Sequence, residues 1–586
     1  MSAHDTPSAE PAAIANAADV MPGSPSAPPV PEALDLLGQL FRRARETPVR
    51  PWLHQTVAGD RQAWTWGEAA DEIARMASAL RALGFPAGSR ICISGRNTAH
   101  WVMADLAILL AGHVPVGLYP RQSADNTRYV IEHAQARAVF LGPAQDAAVT
   151  ASAVPEDVIT IGLPYPDVPA TRMQWSEMIA TQSPLQREQA PPADTLALLL
   201  YTSGTSGRPK GVMLTYANIA FTARHALAHV FRPEGPQRLL SYLPLAHAQE
   251  RLTCESLSLL VGAEIHFLEK IEALGATLAD VQPTFFTAGP PVYARMQAAI
   301  LQRLPQPRLS MLLALPVVGG LLRRKLRARL GLRDARLCIV GGAPMPAATF
   351  EWFATLGIHV RQGYGSTENC GYVSCNLPGA ARIGSVGRPL PGAEVRIADD
   401  GEIQCRHAGT MIGYFRDPVR SREAMTDDGY FRTGDAGHFD ADGFLYVDGR
   451  LGDRIALADG SVFAPNAIEA AFAHPWIEHA CVVGQGLARP VIVIAPTMAG
   501  RQAAAEAFDA VVARGFDVID PGVPQAHRPA CALLASEAWL PDNGFVTPTM
   551  KLRRATVEAE YGERALGALA SGARGLLRAV PPGTQA

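Results

Sequence analysis

LALLLYTSGTSGRPKG, residues 196–211, reads as a buried strand that breaks into a polar loop. The six residues at its start are apolar and match a strand in length rather than a helix. Thr202, Ser203, Thr205 and Ser206 then offer hydroxyls around Gly204 and Gly207, and Lys210 follows with a positive charge. Small residues let backbone N–H groups close on phosphate oxygens, and hydroxyls add donors. A flexible polar turn is the plain alternative, but linkers seldom join a strand, four hydroxyls and a cation in this order. The G-x-x-x-x-G-K-[ST] order of a Walker A loop is absent.

Outward from this loop, strand and helix patterns alternate. Residues 66–83 carry apolar side chains at helical spacing and stop at Gly84; residues 90–94 read as a strand, 101–111 as a helix and 114–119 as a strand. Residues 337–340 form another short apolar strand that feeds Gly341 and Gly342. This alternation predicts an α/β fold, with mainly parallel sheets flanked by helices in a large N-terminal domain. The texture changes at FDADGFLYVDGRLGD, residues 439–453. Beyond it come a helix from Pro465 and a Val/Ile-rich strand at residues 490–494, the start of a smaller α+β domain. The expected divisions are a disordered leader at 1–31, a large domain at 32–449, a small C-terminal domain at 450–565 and a flexible tail at 566–586.

Composition narrows the function. Lys and Arg number 52 against 55 Asp and Glu, so no basic excess argues for nucleic acid. The eight cysteines are scattered without metal-ligand spacing, which fits a reducing cytoplasm better than a disulfide framework. No apolar run reaches the ~18–20 residues needed to span a bilayer. Residues 309–322 come nearest, interrupted by Pro316 and a glycine pair and followed by a basic cluster from Arg323 to Arg329. Two readings stand: peripheral contact with an anionic membrane surface, or a core helix with a solvated basic end.

The loop at 201–211 resembles the signature of the adenylate-forming (AMP-binding) superfamily, and further motifs extend the resemblance from about residue 34 to about residue 561. YLPLAH at 242–247 with Glu250 and Arg251, GGAP at 341–344, YGSTE at 364–368, YFRTGD at 430–435, DGR at 448–450 and NGFVTPTMKLRR at 543–554 follow in the expected order. Their details are similar to long-chain fatty acyl-CoA synthetases. The resemblance implies ATP, Mg2+ and CoA as cofactor and co-substrates, with a fatty acid as the acid activated. It implies that Thr202, Ser203, Gly204, Thr205, Ser206, Gly207 and Lys210 bind phosphate, and that Gly342 and Ala343 pack along adenine. Tyr364 would stack on the adenine beside Gly365, Thr367 would contact phosphate, and Glu368 would hold Mg2+. Asp435 and Arg450 would hold the ribose, His247 would lie near the reacting carboxylate, and Lys551 would bridge acid and α-phosphate.

In this superfamily the small domain is mobile, withdrawing the lysine after adenylation and bringing another face, here around Gly460–Phe463, to a thiol tunnel. Three positions depart from the pattern. Gly452 replaces a charged hinge residue, His407 stands where glycine is usual, and Gly460-Ser-Val-Phe463 differs from the common Gly-Glu-Asn loop. An acyl tunnel is expected past residues 281–296, with residues 283–286 and Tyr293 either as its wall or as ordinary core. The alternatives are transfer to an acyl carrier protein instead of CoA, a shorter or aromatic acid, and a non-catalytic nucleotide-binding relative. Intact Lys551, Glu368 and Asp435 argue against the last.

Overall fold

A computed structural model of the protein describes residues 35–144, 146–187, 189–202, 208–547 and 550–578. The leader expected at 1–31 and the phosphate-loop residues Ser203, Gly204, Thr205, Ser206 and Gly207 lie outside the described residues.

An eight-stranded sheet organises the N-terminal body. Its parallel part runs Leu196–Thr202, Val114–Leu118, Arg90–Ser94, Ala138–Leu141, Ile159–Gly162 and Met173–Gln174. Lys210–Thr215 and Gly413–Tyr414 complete one edge antiparallel. Central parallel strands are buried on both faces, which explains why these segments are apolar runs rather than alternating patterns. Ala99–Leu110 is buried along its whole length. A helix covered on every side must be apolar all round or pair its polar groups. Here Asp105 pairs with the buried Arg251, which lies over Trp101, and His100 faces Glu72 and Tyr165. Removing one partner of such a buried pair leaves a charge stranded, at a cost of about 3–5 kcal/mol.

A five-stranded sheet begins with the parallel strands Phe285–Ala288, Leu337–Val340 and Val360–Tyr364. A third sheet joins Arg238–Ser241, Glu264–Phe267 and Pro51–Val57 in parallel, with Asp60–Thr65 antiparallel at its edge. The helix Trp66–Ala82 starts after that edge strand on a capping box between Thr65 and Glu68, the local signal for its position.

Two findings differ from the sequence reading. Residues 394–450 form an antiparallel four-stranded sheet, Glu394–Ile397, Glu402–Arg406, Phe431–Phe439 and Leu445–Arg450, among the parallel ones. Residues from 566, expected as a flexible tail, are structured as far as 577: the last helix runs Arg554–Ala570, and Leu576–Leu577 pairs with Ala532–Leu534. Val557, Tyr561, Ala565 and Ala568 give that helix one buried stripe at helical spacing, which holds it past 566.

Residues 306–329 are two helices, Gln306–Ala314 and Pro316–Arg329, joined at Leu315. No helix among the described residues is long and apolar enough to cross a membrane. All eight cysteines are buried and unpaired with one another.

Candidate active site

A cavity of about 1670 Å³ collects most of the residues singled out in the sequence. Arg96, Tyr119, Pro143, Thr202 and Gly341 line it from the C-terminal ends of five parallel strands. That is where open α/β sheets place ligands, because the loops there splay apart. Thr202 and Lys210 are paired across the hairpin that carries the phosphate loop, and both line the cavity. The Lys210 ammonium sits 5.1 Å from the Tyr414 ring centre.

Three strands converge at the nucleotide end. Tyr364 closes Val360–Tyr364 and donates its hydroxyl to Asp435 Oδ2 at 2.6 Å. Arg450 lies opposite Asp435 in the antiparallel pair, with its Nε 3.0 Å from Asp435 Oδ1. A second Arg450 nitrogen donates to the Thr433 carbonyl at 2.8 Å. Burial pushes the Asp435 carboxyl above its ordinary value, opposed by Arg450 and the Tyr364 hydroxyl. Burial and the Asp435 charge hold the Tyr364 hydroxyl well up, so it stays a donor. Gly341 and Gly342 line the cavity, whereas Ala343 is exposed and is not in its lining.

Gly365 admits no side chain, since a Cβ would stand 2.5 Å from the Gly371 carbonyl carbon. This close approach folds the turn Thr367–Asn369, which Ser366 N–H fixes by donating to Asn369 Oδ1 at 2.7 Å. Thr367 is buried on it. Glu368 Oε1 accepts from the Tyr414 hydroxyl at 3.0 Å, and its carbonyl accepts from Met411 N–H at 2.7 Å. The edge strand Gly413–Tyr414 therefore orients the carboxylate, a role for Tyr414 that its sequence position did not reveal.

His247 begins a short helix, and its Nδ1 accepts from Gln249 N–H at 3.2 Å. Burial, then the Lys551 charge, lower its pKa to about 4, so the imidazole is neutral with its proton on Nε2. Lys551 reaches the same cavity from the C-terminal domain. Its side chain is open to water there but walled by protein on most sides. That burial and Arg450 lower its pKa, while Asp435 and Glu368 act in the opposite sense. Asn97 and Glu250, not assigned roles from sequence alone, hold the segment around His247. Asn97 donates to Ser241 Oγ at 2.8 Å and accepts from Leu245 N–H at 3.0 Å; Glu250 accepts from Ser241 Oγ and Tyr242 N–H.

One stretch of the wall is apolar. Ala223, Ala226, Val230, Phe231, Leu257 and Phe285 supply it. This corrects the tunnel reading of residues 283–286 and Tyr293. Phe285 does line the cavity, but Phe286 and Tyr293 face the neighbouring core, where the Tyr293 hydroxyl donates to the Ile339 carbonyl at 3.1 Å. Successive strand residues point to opposite faces, so Phe285 and Phe286 cannot share a wall.

The AMP-binding enzyme profile matches residues 40–415. The chain belongs to the AMP-binding enzyme family. Relatives include the long-chain-fatty-acid–CoA ligase FadD15 of Mycobacterium bovis, 30% identical over 580 residues, covering 90% of this chain and 96% of that one. Among solved structures, the adenylation domain of a carboxylate reductase from Mycobacterium chelonae matches with a TM-score of 0.77 at 19% identity, covering 92% of each chain. The anthranilate CoA ligase AuaEII in complex with anthranoyl-AMP matches with a TM-score of 0.75 at 22% identity, covering 91% of this chain and 98% of that one. At these identities the solved structures establish the fold alone. Within the AMP-binding fold, a second polar cluster, His54, Glu264 and His266, lies on the sheet away from the cavity. Its two imidazoles stack 4.2 Å apart with planes 7° from parallel, and their Nε2 atoms lie 3.4 and 3.9 Å from Glu264 Oε2.

Proposed function

We propose that the protein joins ATP and a long-chain fatty acid into an acyl-adenylate and transfers the acyl group to the thiol of CoA, releasing AMP. The observation that carries this reading is Lys551. One ammonium from the C-terminal domain shares a cavity with Asp435, Glu368 and His247, beside an apolar wall suited to an alkyl chain. Relatives of matching length named as long-chain-fatty-acid–CoA ligases support the acid class and the acceptor.

The carboxylate attacks the α-phosphorus and pyrophosphate leaves. Both reactants are anions, so the protein's work is alignment and charge neutralisation. Thr202, Lys210 and the hydroxyl loop between them hold the phosphates, with Thr367 as a further donor. Gly342 and Gly365 leave room for adenine against Tyr364. Asp435 accepts from the ribose hydroxyls, and Arg450 holds Asp435 in place. Lys551 bridges carboxylate and α-phosphate, and neutral His247 donates Nε2–H to the reacting carboxylate. Glu368 fits a magnesium ion, being a hard carboxylate oxygen on a fixed turn in the cavity that also holds the phosphate residues. Magnesium there would neutralise the departing pyrophosphate.

The small domain, from residue 450 onward, is the moving part in this reading. Lys551 lies in the cavity, whereas the hairpin Ile455–Ala456 and Val462–Phe463 is absent from its lining, the arrangement suited to adenylation. Gly452 sits in the turn Leu451–Asp453 with open space around it and no positive φ. This conformation does not require glycine there, which leaves rotation as the reason for it. Gly452→Pro should therefore keep acyl-adenylate formation near parent and depress thioester formation about tenfold or more, because proline fixes φ. Single-turnover rates for the two half-reactions check this; unchanged thioester formation would place the hinge elsewhere.

A panel of acids with ATP, with and without CoA, tests the overall reading. Long-chain acids should give AMP with CoA and a matching amount of acyl-CoA. AMP without thioester would point to a carrier protein as acceptor, and a preference for benzoate or acetate would reassign the acid.

A further inference from the structure

We infer that the helical hairpin Gln306–Ala314 and Pro316–Arg329 is a docking surface for anionic phospholipid membranes. The sequence left this segment between a core helix and a membrane contact, and its exposure favours the latter. Met311 is 62% exposed, Leu315 44%, Val317 74%, Val318 45% and Leu321 65%. Five of the sixteen exposed large apolar residues described thus fall within eleven consecutive positions. Singly scattered apolar residues are ordinary on a protein surface, whereas a contiguous set marks an interaction site.

The order of residues along the hairpin specifies the partner. On the first helix Arg308 and Met311 share one face at i, i+3 spacing, and the exposed Leu315 follows at the joint. On the second, Val317 and Val318, Leu321, then Arg324 and Lys325 share a face likewise. Both faces are apolar at the elbow and basic at the outer end, so the elbow can enter the acyl boundary while the cations stay at headgroup level. From residue 302 to residue 333 there are eight Arg and Lys and no Asp or Glu, in a chain whose net charge is -3. That local imbalance complements an anionic surface and repels a basic one.

The hairpin is also built to hold its shape. Leu315 is extended before Pro316, as proline demands of the residue preceding it, and Pro316 opens the second helix where no N–H is needed. Gly319 lets the helices close, because a Cβ there would clash with the Leu313 carbonyl oxygen. Leu309, Leu313 and Leu326 anchor the inner side in a core with Phe350, Trp352 and Phe353. The apolar elbow is therefore held out from the body rather than free to fold back.

The test reads binding, not catalysis, so it stands or falls separately from the proposed reaction. Full-length protein is cosedimented with vesicles of phosphatidylcholine alone and of phosphatidylcholine mixed with phosphatidylglycerol, over a salt series. Binding should require phosphatidylglycerol and weaken as salt rises. Arg324→Ala with Lys325→Ala should lower the partition coefficient about twenty-five-fold, at roughly fivefold per cation. Val317→Ser with Leu321→Ser should lower it about tenfold while leaving activity on a soluble acid unchanged. No preference for phosphatidylglycerol, or parent-like binding by both double variants, would overturn the proposal. So would a loss of self-association on size exclusion in the variants without a loss of vesicle binding, which would assign the face to a second copy of the chain.

Discussion

Lys551→Ala is expected to slow acyl-adenylate formation about a thousandfold and to leave thioester formation from supplied acyl-adenylate within a few fold of parent. An ammonium shared by two anions in a walled cavity acts where charge concentrates in the transition state, and a preorganised donor of that kind contributes about 10²–10³ in rate. The substitution is clean because the backbone that presents the residue does not depend on the ammonium. Thr547 N–H donates to the Lys551 carbonyl at 2.8 Å, Lys551 N–H donates to Thr547 Oγ1 at 3.1 Å, and Val546 and Leu552 bridge behind them. Loss of the side chain beyond Cβ leaves those bonds in place. Removing the positive charge near His247 also raises that imidazole's pKa from about 4 toward its ordinary value, since Lys551 is one of the two causes of its depression. Rapid-quench measurement of each half-reaction decides the matter. Equal losses in both would show that Lys551 supports the fold or both steps rather than adenylation alone.

The sequence was legible where a local pattern dictates a local structure. The strands Arg90–Ser94 and Leu337–Val340 lie where their apolar runs predicted, and the helix Trp66–Ala82 ends within one residue of the expected stop before Gly84. The described site residues other than Ala343 meet in one cavity, because motifs at strand ends are gathered automatically by a parallel sheet. What could not be read depends on contacts between distant segments. Nothing around Asn97 announces that its amide will hold the 241–245 segment, nearly 150 residues away, or that Tyr414 will orient Glu368 from 46 residues away. The π-helical stretches Leu227–Phe231 and Arg251–Ser256, which place Val230, Phe231 and Leu252 on the cavity, have no compositional signature. Wider helical turns of this kind gather at functional sites, and here they bring those side chains to the cavity that Phe285 also lines. The tail was misplaced for a different reason: its helix is sparse in large apolar residues, and small ones such as Ala565 and Ala568 form its buried stripe.

Acids of increasing length should gain three- to fourfold in kcat/KM per methylene, and the gain should continue into long chains before it stops. Each added methylene that leaves water for the apolar wall contributes about 0.8 kcal/mol, and kcat/KM reports that stabilisation in full when the chain is held in the transition state. Ala223, Ala226, Val230, Phe231, Leu257 and Phe285 offer carbon surface with no charged group among them, so binding along this wall discriminates by length alone. Alanines at 223 and 226 on one helix leave space that bulkier residues would close. Within the wall, Phe231 and Phe285 meet edge to face at 4.7 Å, a rigid pair that does not readily yield to an overlong chain. The profile should therefore rise, level and then fall, since forcing extra methylenes into packed side chains costs about 1–3 kcal/mol. Summed over eight methylenes the rise amounts to roughly four to five orders of magnitude, which makes it the most discriminating measurement of acid class. A compact-acid site gives the opposite curve, with activity greatest for acetate or benzoate and a steep loss after a few carbons. The series is run with ATP and CoA saturating and each acid below its micellar concentration. A flat profile would mean that the alkyl chain stays in water and that the apolar wall serves packing rather than substrate.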